Sequence, residues 1–313
     1  MKEPACQGGV AGTPAALRSG GAMWSFFRRR RRERILSRPF PEEHRRELLK
    51  QCALLRALPP PLWRRLEDDL RIFDAERTWE PCGGLRLRDE MRRLVSAEAC
   101  VLTLGRSVDA YDHVRSILLY PTKYAAPEAY EDEWGVVTED VDEREGEAWE
   151  RGIVVLSWSE VQADARRCDG RNLVLHEFAH QLDLLDFVSS AGFLSRERAR
   201  FLAWRRGFLE AFGAFAQAVE EGRKVRVLDP YGAEDEAEFF AVATEAFFER
   251  PLELRRHHEG LYGILADYFA LDPASWNWAP PPEEEPSAAP PRRSSRKLKK
   301  KSGSPAPRPR ITG

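Results

Sequence analysis

Leu175-His176-Glu177-Phe178-Ala179-His180-Gln181-Leu182-Asp183 carries the sharpest signal in the chain. Within it stands His176-Glu177-x-x-His180. Four residues make slightly more than one helical turn, so on a helix both imidazoles project from one face and can grip a single ion. Zinc accepts imidazole nitrogen and, in catalytic sites, keeps one position for water. Glu177 directly follows His176. It lies beside the ion rather than on it, where it can take a proton from water. Val174, Leu175, Phe178, Ala179 and Leu182 make the same helix apolar. The segment is therefore expected to be buried, and polar groups on a buried helix need partners.

Two histidines are too few for zinc. The other histidines are His44, His113, His257 and His258, and Leu182-Asp183 stand where the HExxHxxGxxH extension would begin. A carboxylate from a later helix is the alternative. Ala237–Phe248 reads AEFFAVATEAFF, apolar nearly throughout except for Glu238 and Glu245. These are seven apart, two helical turns, hence on roughly one face. One can ligate the ion while the other orients a ligand through its free nitrogen. Spacing alone does not say which.

Working outward, the two ends of the chain differ from its middle. The chain has 313 residues and a formal net charge of −2. Residues 1–38 sum to +7 and residues 292–310 to +9, which leaves −18 for the remainder. The protein reads as an acidic body, residues 39–278, between a disordered basic extension over 1–38 and a disordered Pro-rich basic tail over 279–313. The run Arg28–Arg32 is expected to be solvated and mobile, contact with an anionic surface being the alternative. Met23 begins a second candidate translation start beside Met1. No apolar run reaches the roughly 18 residues of a membrane span. A secretory leader is excluded by order, because Trp24, Phe26 and Phe27 precede the arginines instead of following them. Five scattered cysteines without a CxxC pair point to a reducing cytoplasm. The tail lacks interleaved aromatics, which argues against nucleic acid as the partner.

Periodicity predicts a mainly helical α+β fold with a small sheet. Two helices are expected over 41–72, divided at Pro59-Pro60-Pro61, and another over 86–103. Strands are expected at Ser116–Tyr120, more weakly at Gly135–Val137, and at Gly152–Trp158. The helix with the HExxH motif should run to about Leu185, with Asp169 as its N-cap. Further helices are expected over Ser195–Glu221, Asp235–Phe248 and Leu261–Phe269.

With these residues in place the sequence resembles the Mlc titration factor A family of zinc-dependent peptidases. The likeness rests on HEFAHQLD and on Tyr231-x6-Glu238 in YGAEDEAEFFAVATEAFF. It extends to LLYPTKY…DEWG, to GIVVLSW and to the start MWSFFRRRRR, over roughly residues 23–275. It implies a zincin-like core of gluzincin type, similar to the catalytic domain of anthrax lethal factor. It implies His176, His180 and Glu238 as the ligands of one Zn2+, Glu177 as general base, and Tyr231 as a hydrogen-bond donor to the tetrahedral oxyanion. Glu245 and Asp183 then become residues that orient the ligands. Phe239 replaces the usual Cys and Ala243-Thr244 replaces Leu-Ser, neither at a ligand position. Aminopeptidase activity on peptide substrates is implied, and an acidic body suits a free α-amino group, although solubility explains such charge equally. The family is named for sequestering the glucose repressor Mlc. A repressor-binding role with little or no catalysis is therefore the competing expectation. Residues 152–158 could bind an extended peptide by edge pairing or could be an internal strand.

Overall fold

The computed structural model describes residues 19–122, 152–189 and 195–278, with side chains over 26–122, 152–182 and 201–278. The expected strand at Gly135–Val137, the tail after 278 and the side chain of Asp183 lie outside these. The described residues are mainly helical, with one small sheet.

Helix α1 spans Ser19–Leu36, where the sequence reading expected disorder and a mobile arginine run. Phe26, Phe27, Arg29, Arg30 and Arg31 are exposed, but Arg28 and Arg32 are docked. Arg32 grips Glu76 with two hydrogen bonds of 2.8 and 2.7 Å and Asp109 with one of 2.6 Å. Arg28 reaches Asp112 at 2.6 Å and Asp109 at 2.8 Å. Planar guanidinium–carboxylate pairs of this kind fix orientation as well as charge. The helix has no apolar stripe, so hydrophobic periodicity could not reveal it. It docks by charge against acidic groups remote in sequence.

Helices α2 (Glu42–Gln51) and α3 (Pro60–Glu76) follow. The prolines do not merely divide them: Pro60 starts α3, where a missing N–H costs nothing and the fixed φ suits the first turn. A short strand β1 (Thr78–Pro81) leads to α4 (Asp89–Val101) and then β2 (Ser116–Tyr120) and β3 (Ile153–Ser157). The sheet order is β1-β2-β3, all parallel, with Thr78 opposite Ser116 and Ser116 opposite Ile153. β1, four residues with a proline, is too short for a periodic signal. Helix α5 (Trp158–Arg167) begins where the expected strand was to end.

Helix α6 (Leu173–Ser189) carries the HExxH motif. Its buried face sets Phe178 edge-on to Phe73 and Tyr111, with ring centroids 5.5 and 5.1 Å apart. Helix α7 (Ser195–Glu220) and α10 (Glu259–Phe269) flank α8 (Glu236–Glu249). Phe239 of α8 packs on Phe208, Phe212 and Phe215 at 5.2–5.5 Å, and Phe240 and Phe247 pack on Phe269 at 6.2 and 5.5 Å. Such contacts fix α8 in rotation about its own axis, which decides where its glutamates point. Helix α9 (Pro251–His257) carries Pro251 in its first turn. Among the described residues no helix is long and apolar enough to cross a membrane.

Candidate metal centre

α6 and α8 lie side by side, and the polar side chains of each face the other. His180 and His176, one turn apart, look toward Glu238. His176 and the start of α6 look toward Glu245, and Gly170 and Asn172 toward Glu249. Spacings of seven and four residues keep Glu238, Glu245 and Glu249 on one stripe of α8. One neighbouring helix thus faces both histidines and Asn172.

At the open end, two imidazole nitrogens and both oxygens of one carboxylate converge. His176 Nε2 is 3.2 Å from His180 Nε2 and 3.1 Å from Glu238 Oε2, and His180 Nε2 is 3.5 Å from Glu238 Oε1. A tetrahedral ion about 2.0–2.1 Å from each ligand would have edges of about 3.3–3.4 Å. The observed separations, each His measured to a different Glu238 oxygen, are of that order. Both histidines are buried, and Glu238 Oε2 is buried without a hydrogen bond, near His176 but poorly aligned with it. Two imidazole nitrogens facing each other beside an orphaned carboxylate oxygen are costly without a shared cation. The donor set therefore fits a divalent ion, and among the described residues it is the group able to hold one.

Glu238 and Glu245, left undecided by spacing, meet different nitrogens of His176. Glu245 is remote from His180. Its Oε1 lies 3.4 Å from His176 Nδ1, the nitrogen turned away from the cluster, and accepts from the Asn172 backbone N–H at 3.2 Å. A carboxylate there can hold the imidazole in orientation. Burial disfavours a charge on His176, but Glu238 and Glu245 outweigh it, with Glu177 adding to the field, and push its pKa up to about 10. Burial works against the Glu238 charge as well, yet the two imidazoles hold its carboxyl well below the usual range.

This has a consequence for metal uptake. A His with a raised pKa keeps its proton up to about 10, so the stability this lends the metal-free protein is fully present below 6.5 and is lost as pH rises from there through about 10. At pH 8 a metal ion must displace that proton. Calorimetric titration of metal-free protein at pH 8, repeated in buffers of different ionisation enthalpy, is expected to show about one proton released per ion. No release would contradict this charge state.

Glu177, half-buried, follows His176 on α6. Tyr231 sits in a 3-10 turn, Pro230–Ala233, with its ring centroid 6.3 Å from that of His176. Asp229 fixes this turn: its Oδ1 accepts from the Tyr231 N–H at 3.0 Å, and its Oδ2 pairs with Arg171, just ahead of α6. Gly232 lets the turn approach closely, since a Cβ there would lie 3.2 Å from Val242 Cβ on α8.

The sequence reading missed the network behind His176. Asn172, not Asp169, caps α6: its Oδ1 accepts from Leu175 N–H at 3.0 Å. Its Nδ2 donates to Glu98 Oε1 at 2.9 Å and to Glu249 Oε1 at 3.1 Å, and Gly170 N–H donates to Glu249 Oε2 at 2.9 Å. Gly170 has φ +93°, and a Cβ there would meet Arg250 at 2.8 Å. Burial pushes the Glu98 carboxyl up to about 8, against the hydrogen bonds from Asn172 and Cys52. Glu249, on the same stripe as Glu238 and Glu245, was detectable by its spacing; Glu98, on α4, was not.

Residues 26–270 match the family described as glucose-regulated metallo-peptidase M90. The chain is 32% identical over 245 residues to an uncharacterized protein of Synechocystis, covering 78% of this chain and 89% of that one. It is 30% identical over 240 residues to Mlc titration factor A of Edwardsiella ictaluri, covering 76% and 88%. To Mlc titration factor A of Escherichia coli it is 29% identical over 205 residues, covering 64% and 76%.

Proposed function

The chain belongs to the glucose-regulated metallopeptidase M90 family, which includes Mlc titration factor A, and on that premise we propose that it is a zinc-dependent aminopeptidase with a zincin-like core. The observation that carries the reading is the convergence of His176, His180 and Glu238, their nitrogens and carboxylate oxygens 3.1–3.5 Å apart. Two imidazoles and one carboxylate suit zinc better than the hard, all-oxygen preferences of magnesium or calcium.

Bound in this cluster, zinc would supply Lewis acidity to water and to the scissile carbonyl. The chain's own groups do the rest. Glu177 takes a proton from the attacking water and later delivers it to the leaving amine. Tyr231 offers its hydroxyl to the oxyanion, held in place by the Asp229–Arg171 pair. β3 has β2 as its partner among the described residues and exposes Val155, so its other edge could pair with an extended peptide. Cys52, Cys82, Cys100 and Cys168 are unbridged, in keeping with a reducing cytoplasm.

Preference for a free N-terminus follows from charge. Glu234, Asp235 and Glu236 are exposed just ahead of Glu238, on an already acidic body. An α-ammonium group is attracted there and an acetylated one is not. Short peptides with a free N-terminus are expected to be cleaved faster than their N-acetylated forms, with the difference shrinking as salt is raised. Equal rates would remove the aminopeptidase assignment while leaving the metallopeptidase one.

The name borne by the relatives supports a second role, the binding of an Mlc-like repressor. Such a role needs a surface and not Glu177, so the two readings separate on one variant, taken up below.

A further inference from the structure

α7, the loop over 223–228 and the start of α10 enclose a pocket of about 470 Å³ that the metal centre does not use. Its floor is apolar: Phe215, Leu228, Phe239 and Leu261 are each no more than 6% exposed. Its rim is basic. Lys224, Arg226 and His257 line it and have no acidic partner among the described residues, while Arg223 is paired with Glu221 at 2.6 Å. No carboxylate lines the pocket, on a chain whose sequence between its basic ends sums to −18. Lys224 and Arg226 thus present positive charge beside an apolar floor, on a body that is acidic elsewhere, and an amphiphilic anion complements both.

The walls are pre-set. His258 Nε2–H donates to the Arg226 carbonyl at 2.9 Å, tying the loop to α10. Val227 is held at φ +74°, a region that β-branched residues rarely adopt and that surrounding contacts must enforce. α10 starts at the pocket without a side-chain cap, so the first-turn N–H groups of Gly260 and Leu261 have no intrahelical acceptor. A Cβ at Gly260 would meet nothing within 4 Å, so the pocket mouth is open there.

We propose that this pocket binds a medium-chain fatty carboxylate. The acyl chain lies on Phe215, Leu228, Phe239 and Leu261, and the carboxylate sits among Lys224, Arg226 and His257. The volume falls in the range of small-molecule sites. Apolar burial supplies most of the affinity, and the charge-assisted contacts supply the selectivity for an anion.

The test uses the full-length, zinc-loaded chain titrated calorimetrically with octanoate, 1-octanol and acetate. Octanoate is expected to saturate at one per chain, 1-octanol to bind about tenfold or more weakly, and acetate not to bind measurably. K224A/R226A, both at exposed positions, should weaken octanoate about tenfold without changing the melting temperature. Ala214→Trp, placed on the exposed side of α7 to fill the pocket, should abolish binding. Absent saturable octanoate binding, or 1-octanol binding as tightly, would overturn the proposal. Octanoate binding that survives both variants would also overturn it, by placing the carboxylate elsewhere, the metal centre included.

Discussion

Glu177→Gln is expected to slow peptide hydrolysis by about 10²–10⁴-fold while the protein keeps its metal and its melting temperature. The amide preserves the size and the polar character of the side chain but cannot take a proton from water. Glu177 is next to His176 in sequence and projects from α6 beside the ligand stripe rather than within it, so the cluster of His176, His180 and Glu238 is untouched. The loss should fall on kcat, since the interaction removed belongs to the transition state. The same variant weighs the repressor-binding reading. A complex with a purified Mlc-like repressor should survive Glu177→Gln unchanged. If the variant instead hydrolyses peptides at the wild-type rate, the chemistry assigned to Glu177 is wrong, whatever the chain binds.

Asn172→Leu is expected to cost about 3–5 kcal/mol of stability, a shift of roughly 10 °C in melting temperature. Leucine has a similar volume, so the cost is not a cavity. It comes from three losses at one buried position. The N-cap of α6 disappears, worth about 1 kcal/mol. Glu98 Oε1 and Glu249 Oε1 each lose a donor in the interior, about 1–3 kcal/mol apiece. The pH dependence has a definite sign. Glu98 titrates near 8 in the folded protein and near 4.5 when unfolded, so the folded state holds the extra proton and stability falls as pH rises between those values. Asn172 donates to the charged form, and its removal should therefore cost more at pH 9 than at pH 6. Denaturant melts at the two pH values measure this. A loss below about 1 kcal/mol, or an equal loss at both, would contradict the network as described.

How much of this was legible beforehand differs by element, and the reasons are physical. α6 and α8 were readable because the local pattern dictates them: apolar residues at helical spacing interrupted by a few His and Glu. β2 and β3 were readable as short β-branched or apolar runs between turns. α1 was not, because it is held by Arg28 and Arg32 against Asp109, Asp112 and Glu76, and ion pairs between distant residues leave no periodicity in either partner. The breaks before Pro60 and Pro251 were readable, and each proline also opens the helix that follows. The choice between Glu238 and Glu245 needed the packing of α8, since both lie on one face and only the offset against α6 decides which meets His180. The Glu98–Asn172–Glu249 network needed three elements at once, α4, α6 and α8, and no single window of sequence spans them.

If His176, His180 and Glu238 hold one zinc ion that peptide hydrolysis requires, metal and activity must be lost together. Metal content of purified full-length protein, measured beside that of Glu238→Ala, tests it most directly. Close to one zinc per chain is expected in the wild type, and in the variant a loss of zinc together with a loss of peptidase activity. A wild type that hydrolyses peptides with no stoichiometric metal, or a Glu238→Ala protein that keeps its zinc with undiminished affinity, would contradict it.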